Sequence, residues 1–175
     1  MKVRCIFTAM MVEVIAPDMV NLQLWQERWH RKEALSKKLM RILRKRIAHR
    51  RIYFGIYNLK YAGKSGRIPS AAAFIGDKIG IKPIMKIWDH EITTAGKCRG
   101  EKKVVSKICD MAIADMEPGS AYQIEYGDDD KIKEEMAQKM TEKLGYGPSS
   151  YYQIGAEIAA NAGPRVVGVA FDAKE

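Results

Sequence analysis

The sequence is poor in the features that would assign it to a membrane, a redox centre or a metal. No apolar run approaches the roughly 20 residues of a membrane-spanning helix. Cys5, Cys98 and Cys109 are scattered and share no metal-ligand spacing. That argues for idle or buried thiols in a reducing compartment, hence an expected cytoplasmic location. His30, His49 and His90 stand alone, so a packed or solvent-facing role is expected for each rather than ligation. Lys2 and Arg4 precede a short apolar stretch, but Glu13 interrupts it and no small-residue cleavage site follows, so no signal peptide is expected. G-x-S-x-G, Walker, G-x-G-x-x-G and H-E-x-x-H patterns are all missing. Ser65, Ser70 and Ser106 have no evident histidine partner, which leaves capping or surface roles. No catalytic set, metal site or cofactor is legible.

Acidic residues are scarce in one region only. Residues 1–60 carry 14 of the 30 Lys and Arg but 4 of the 21 Asp and Glu, so the net charge of +9 belongs to the N-terminal third. The rest is nearly neutral, and the overall basicity is no nucleic-acid signature of the whole chain. Residues 19–51 also lack Gly and Pro. Leu35, Leu39, Ile42, Leu43 and Ile47 recur there at helical spacing among many Lys and Arg, which predicts a basic amphipathic helix. Such a helix either packs its stripe and solvates its charge, or meets an anionic membrane, nucleic acid or an acidic protein.

From Ile52 onward strands and helices alternate. The spacing predicts strands over 52–57 and 81–88 and a third from 91–94 running on toward 97–100, the last two forming a hairpin around Asp89-His90. A helix follows with Val104, Val105, Ile108 and Ala112 on one face. Tyr122, Ile124 and Tyr126 alternate with Gln123 and Glu125 as in a half-buried strand. Asp128–Asp130 open a helix striped by Ile132, Met136, Met140 and Leu144, which stops at Gly145. Strands are expected at 151–154 and 165–171. The fold class is therefore α/β: a layered mixed sheet with helices packed on it, preceded by the basic amphipathic helix. The expected division is a divergent segment, 1–51, and a lobe, 52–175.

The stretch from Tyr57 to Met85 organises this lobe. Gly63 and Gly66 bracket Lys64-Ser65 as a glycine-rich turn that fixes Arg67. Pro69 suits the start of a short helix, Ala71–Ala73 favour it, and Gly76 or Gly80 would end it. A second candidate site is the turn Asn161-Ala-Gly163-Pro164-Arg165, where Gly163 would leave backbone N–H groups open to an anion; the alternative is a plain turn.

The runs Leu59–Ile68 and Ile79–Ile84, then Gly96–Lys103, then Asn161–Phe171 resemble, in order, the signatures of the DegV family of bacterial fatty-acid-binding proteins. The resemblance covers about Ile52 to Phe171, the C-terminal lobe of that family. It implies a carrier, not an enzyme, which holds one long-chain fatty acid between two α/β lobes and presents it to a separate fatty acid kinase. It implies Asn161, Gly163 and Arg67 at the carboxylate end. Phe74, Ile75, Ile79, Ile84 and Met85 are candidates to line the tail, although core packing explains them equally well. Lys97, Arg99, Lys103 and Arg165 are candidates for partner contact, solvated charge being the alternative.

Departures from the family pattern matter as much. Asn161 stands where members carry a histidine and Arg165 where they carry a glycine, so that position hydrogen-bonds but does not titrate. The family's Thr-Ser-Gln-Pro-Ser-like run is missing, as is its Gly- and Ala-rich crossing helix. A lone lobe is expected to expose apolar surface, covered by residues 19–51, by self-association or by a second chain. Three expectations follow: a lipid-binding lobe that is incomplete without its N-terminal partner, a truncated non-binding fragment, or a basic module that binds an acidic partner or nucleic acid through residues 25–51.

Overall fold

A computed structural model describes residues 40–43, 47–66, 68, 80–89 and 91–174. The elements are β1 (Arg50–Ile56), α1 (Leu59–Ser65), β2 (Ile81–Trp88), β3 (Glu91–Arg99), a 3-10 turn (Glu101–Lys103), α2 (Val104–Asp115), β4 (Tyr122–Tyr126), α3 (Asp130–Leu144), β5 (Ser150–Gln153), α4 (Ala156–Ala162) and β6 (Val166–Asp172). The strands form one mixed sheet in the order β3-β2-β1-β6-β4-β5. All neighbours are antiparallel except β4 and β5. A parallel pair needs a long crossover, and the 15-residue helix α3 supplies it. Asp129 caps that helix by accepting from the Ile132 N–H, and Gly145 closes it in the left-handed conformation.

The sheet has two unlike faces. On the first, Tyr53, Ile84, Tyr122, Ile124, Val169 and Phe171 meet α2 and α3 in a continuous buried core. Gly55 is needed there, because a Cβ at that position would run into Val104 and lift α2 off β1. On the second face, Ile52, Phe54, Ile56, Met85, Ile87 and Ala170 meet Ala62 of α1, Ile158 and Ala162 of α4, and Ile68. The described helices over this face are two of seven residues each.

Several expectations need correction. The supposed glycine-rich turn is mostly helix: Asn58 caps α1 by accepting from the Lys60 N–H, Gly63 lies inside it, and only Gly66, at φ 61°, is left-handed. The helix expected from Pro69 lies outside the described residues. Residues 161–162 belong to α4, a helix the spacing did not reveal. β4 is not half-buried, since Gln123 and Glu125 are 7% and 6% exposed. Both faces of this strand are buried.

Of the basic amphipathic helix, residues 40–43 and 47–49 are helical; most of the remainder, including Leu35 and Leu39, lies outside the described residues. Ile47 packs on the second face, but Ile42 is 44% exposed and so leaves the expected buried stripe. Arg50 and Arg51 start β1 instead of ending the helix. Arg50 pairs with Asp172 at 3.2 Å and Arg51 with Asp115 at 3.1 Å, so these two charges are spent within the lobe.

Candidate functional site

One end of the sheet gathers most of the described site candidates. There β1 hands over to α1, β3 to the 3-10 turn, β4 to α3, and α4 to β6. Asn161 occupies the last turn of α4, and its Nδ2 donates to the Glu157 carbonyl at 2.7 Å. The Gly163 N–H donates to the Ala159 carbonyl at 2.9 Å. The backbone donor expected to stand open at Gly163 is therefore used to cap α4. Gly163 has φ 92°, and a Cβ there would lie 3.1 Å from the Tyr61 ring. Glycine is what lets α1 and α4 touch.

Arg165 is the hub of this end. Its Nε donates to Asp129 Oδ2 at 3.0 Å and its Nη1 to Glu101 Oε2 at 2.5 Å. The guanidinium lies 4.8 Å from the centre of the Tyr57 ring, within cation–π range. Lys82 completes the cluster, with Nζ 3.1 Å from Glu101 Oε1 and 2.5 Å from the Tyr57 carbonyl oxygen, to which it donates. Two cations and two carboxylates thus tie five segments together with no net charge. Burial alone would raise the Glu101 and Asp129 carboxyls. The hydrogen bonds from Arg165, aided by Lys82 at Glu101 and by the helix N–H of Ile132 at Asp129, outweigh it and hold both low. Burial pushes the Tyr57 phenol up. Glu101, Asp129 and Lys82 escaped the sequence reading as site residues. The only local hint was that Glu101 interrupts a basic run.

Lys97, Arg99 and Lys103 are exposed and make no ion pair among the described residues; the same is true of Lys102 and Lys107. They ring Gly100, whose φ of 83° and N–H bond to the Gly80 carbonyl fix the junction between β3 and α2. Of the tail candidates, Ile84 and Met85 fall on opposite faces of the sheet, Ile84 against α2 and Met85 on the second face. They cannot line one tunnel. Arg67, Phe74, Ile75 and Ile79 lie outside the described residues. Among those described, no group of three His, Cys, Asp or Glu could hold a metal ion, and no helix is long and apolar enough to cross a membrane.

The family model described as "uncharacterised protein, DegV family" matches residues 27–174. The chain belongs to the DegV family. Protein DegV of Bacillus subtilis is 30% identical over 123 residues, covering 68% of this chain and 43% of its own length. A DegV domain-containing protein of Clostridium perfringens is 29% identical over 123 residues, covering 67% and 42%. The chain spans about half the length of the curated DegV relatives it matches. Among solved structures, a stearic acid-binding protein from Eubacterium ventriosum superposes with a TM-score of 0.67 at 24% identity, over 77% of this chain and 48% of that one. A fatty acid binding DegV family protein from Streptococcus agalactiae does so with a TM-score of 0.70 at 20% identity, over 90% and 56%. At these identities the DegV fold is what the two structures share with this chain.

Proposed function

We propose that this chain binds a long-chain fatty acid as a carrier, with its tail on the second face of the sheet and its carboxylate at the end marked by Asn161 and Gly163; Arg67 is kept as a candidate carboxylate contact on the family resemblance alone. The observation that carries this reading is the contrast between the two faces. The first is packed against two long helices, whereas the second is a buried apolar floor over which the described helices have seven residues each. Solved proteins of this fold are described as binding stearic acid and as loaded with heptadecanoic acid. Burying an acyl tail is worth ~0.8 kcal/mol per methylene, so such a floor supplies affinity and the carboxylate needs only a few donors.

Met85 would touch the tail and Ile84 would not. The Asn161 side chain keeps an N–H beyond the one given to Glu157 and could serve the carboxylate without titrating. The carrier would present its acid to a fatty acid kinase through the uncompensated rim of Lys97, Arg99 and Lys103, with Arg165 bracing the rim from behind through Glu101. The internal pairing of Arg50 and Arg51 favours this reading over a basic interaction module. Native mass spectrometry of the purified chain, followed by solvent extraction, tests it. A retained long-chain acid supports the carrier; a chain that remains empty after incubation with such acids refutes it.

A further inference from the structure

The strand register turns the second face into a grid. β1 contributes Ile52, Phe54 and Ile56, and opposite them on β6 stand Ala170, Gly168 and Val166. One strand further, the character changes: Glu125 stands beside Gly168 and Gln123 beside Ala170, and both are buried. One step beyond Ile52, toward the start of β1, the apolar columns stop as well. Arg50 faces Asp172 there, with Nη1 3.2 Å from Oδ1, and its Nη2 donates to Gln123 Oε1. One guanidinium thus bridges β1, β6 and β4 across the bottom of the floor. The apolar area has a polar flank along β4, a charged end at Arg50 and, at its other end, the packing against α1 and α4.

Its length is fixed by the backbone. Arg50 and Ile56 are the two ends of the seven-residue strand β1, about 20 Å apart at ~3.3 Å per residue. One leaflet of a bilayer, hence one long acyl tail, is about 15 Å of hydrocarbon. The floor accommodates one such tail and little more. A longer one would push methylenes against a guanidinium and a carboxylate, whose mutual hydrogen bonds would have to break without replacement.

We propose that the Arg50–Asp172–Gln123 bridge is the closed end of the acyl site and sets the longest tail this chain accepts. The inference rests on the reading that the tail lies on the second face. Arg50 here is a specificity determinant, remote from the carboxylate.

The test is displacement of a dansyl-labelled fatty acid by a homologous series of saturated acids, on the full chain and on Arg50→Leu, Gln123→Leu and Ala170→Leu. In the wild type, affinity rises about fourfold per methylene and then stops rising at a defined length. In Arg50→Leu and Gln123→Leu that break moves to longer acids, and each methylene beyond the wild-type break gains about fourfold. Ala170→Leu, which raises the floor beside Gln123, moves the break to shorter acids. Gln123→Leu keeps the Arg50–Asp172 pair and carries the test should Arg50→Leu fail to fold. If every folded variant keeps the wild-type break, with affinity for all acids unchanged or lowered alike, the ruler is overturned and acid binding stands. If no acid displaces the probe from the wild type, the carrier reading falls and the ruler with it.

Discussion

The two faces of the sheet are built from the same strands to different ends. Where Tyr53, Ile124 and Phe171 point, two long helices supply interlocking partners and a glycine, Gly55, is kept so that one helix can descend onto β1. Where Ile52, Phe54 and Met85 point, α1 and α4 bring Ala62, Ala162 and Ile158 to the core, with Leu59 packed at its margin. A face packed with large interdigitating side chains is committed to itself. The proposed acyl tail is assigned to the other face, where the described helices are short.

The strongest way to break this comparison is a pair of truncations. Ile108→Ala on the first face should cost about 2–5 kcal/mol by cavity formation, and the extra stability gained from added long-chain acid should match the wild type's. Met85→Ala should cost a similar amount in the lipid-free chain, but the gain from added acid should shrink as affinity falls. Thermal melts with and without acid decide; equal gains in both variants would remove the distinction between the faces. Next in size is Gly163→Ala, expected to lose about 1–3 kcal/mol because its φ of 92° with ψ 158° is a region open essentially to glycine alone, with further strain against the Tyr61 ring. Urea titration measures it, and a neutral result would mean that α1 and α4 can separate freely.

A smaller effect sharpens the account of the ion-pair hub. Glu101 and Asp129 have depressed carboxyl values, so the stability they contribute is full above ~4, where the unfolded groups are ionised, and is lost as pH falls through the lower folded values. Arg165→Ala should therefore flatten the acid limb of stability against pH below about 4, while costing less than ~1 kcal/mol near neutrality, because the hub is partly exposed. A variant whose acid limb stays as steep as the wild type's would assign that limb to other carboxyls. Smallest in stability, within ~0.5 kcal/mol, is the pair Lys97→Glu and Arg99→Glu. If the rim is the docking surface, acyl-phosphate formation by an added fatty acid kinase should nonetheless collapse. Unchanged turnover would move the docking surface elsewhere.

Much of the lobe was legible because its signals are local. Ile81–Trp88 was delimited by Gly80 on one side and Asp89 on the other. α3 carried its cap, its stripe and its stop within 17 consecutive residues, Asp129 to Gly145. The two short helices were missed for opposite reasons. Gly63 and Gly66 disguised α1 as a turn, although Asn58 stood at its cap. In α4, Ile158 is the only large apolar side chain, so no stripe could form, and Gly163-Pro164 advertised a turn that is in fact the helix's end. The site was hardest to read because its partners are remote. Arg165 meets residues 36 and 64 positions away, and Arg50 meets Gln123 at 73. No local pattern encodes such pairs. The burial of Gln123 and Glu125 was hidden for the same reason, since alternation reports a solvent face only on a strand that has one.

The place of β6 has a consequence for synthesis. Val166–Asp172, which follow all the other described strands in sequence, form the strand inserted between β1 and β4. Until it leaves the ribosome, the hairpin side of the sheet and the β4–β5 side have no strand in common. The nascent lobe must wait as two halves, with the apolar edges of β1 and β4 unpaired, for a closure that spans more than a hundred residues of chain. Deleting β6 should therefore leave two separate, sticky fragments of sheet, where the loss of an edge strand would merely have narrowed it.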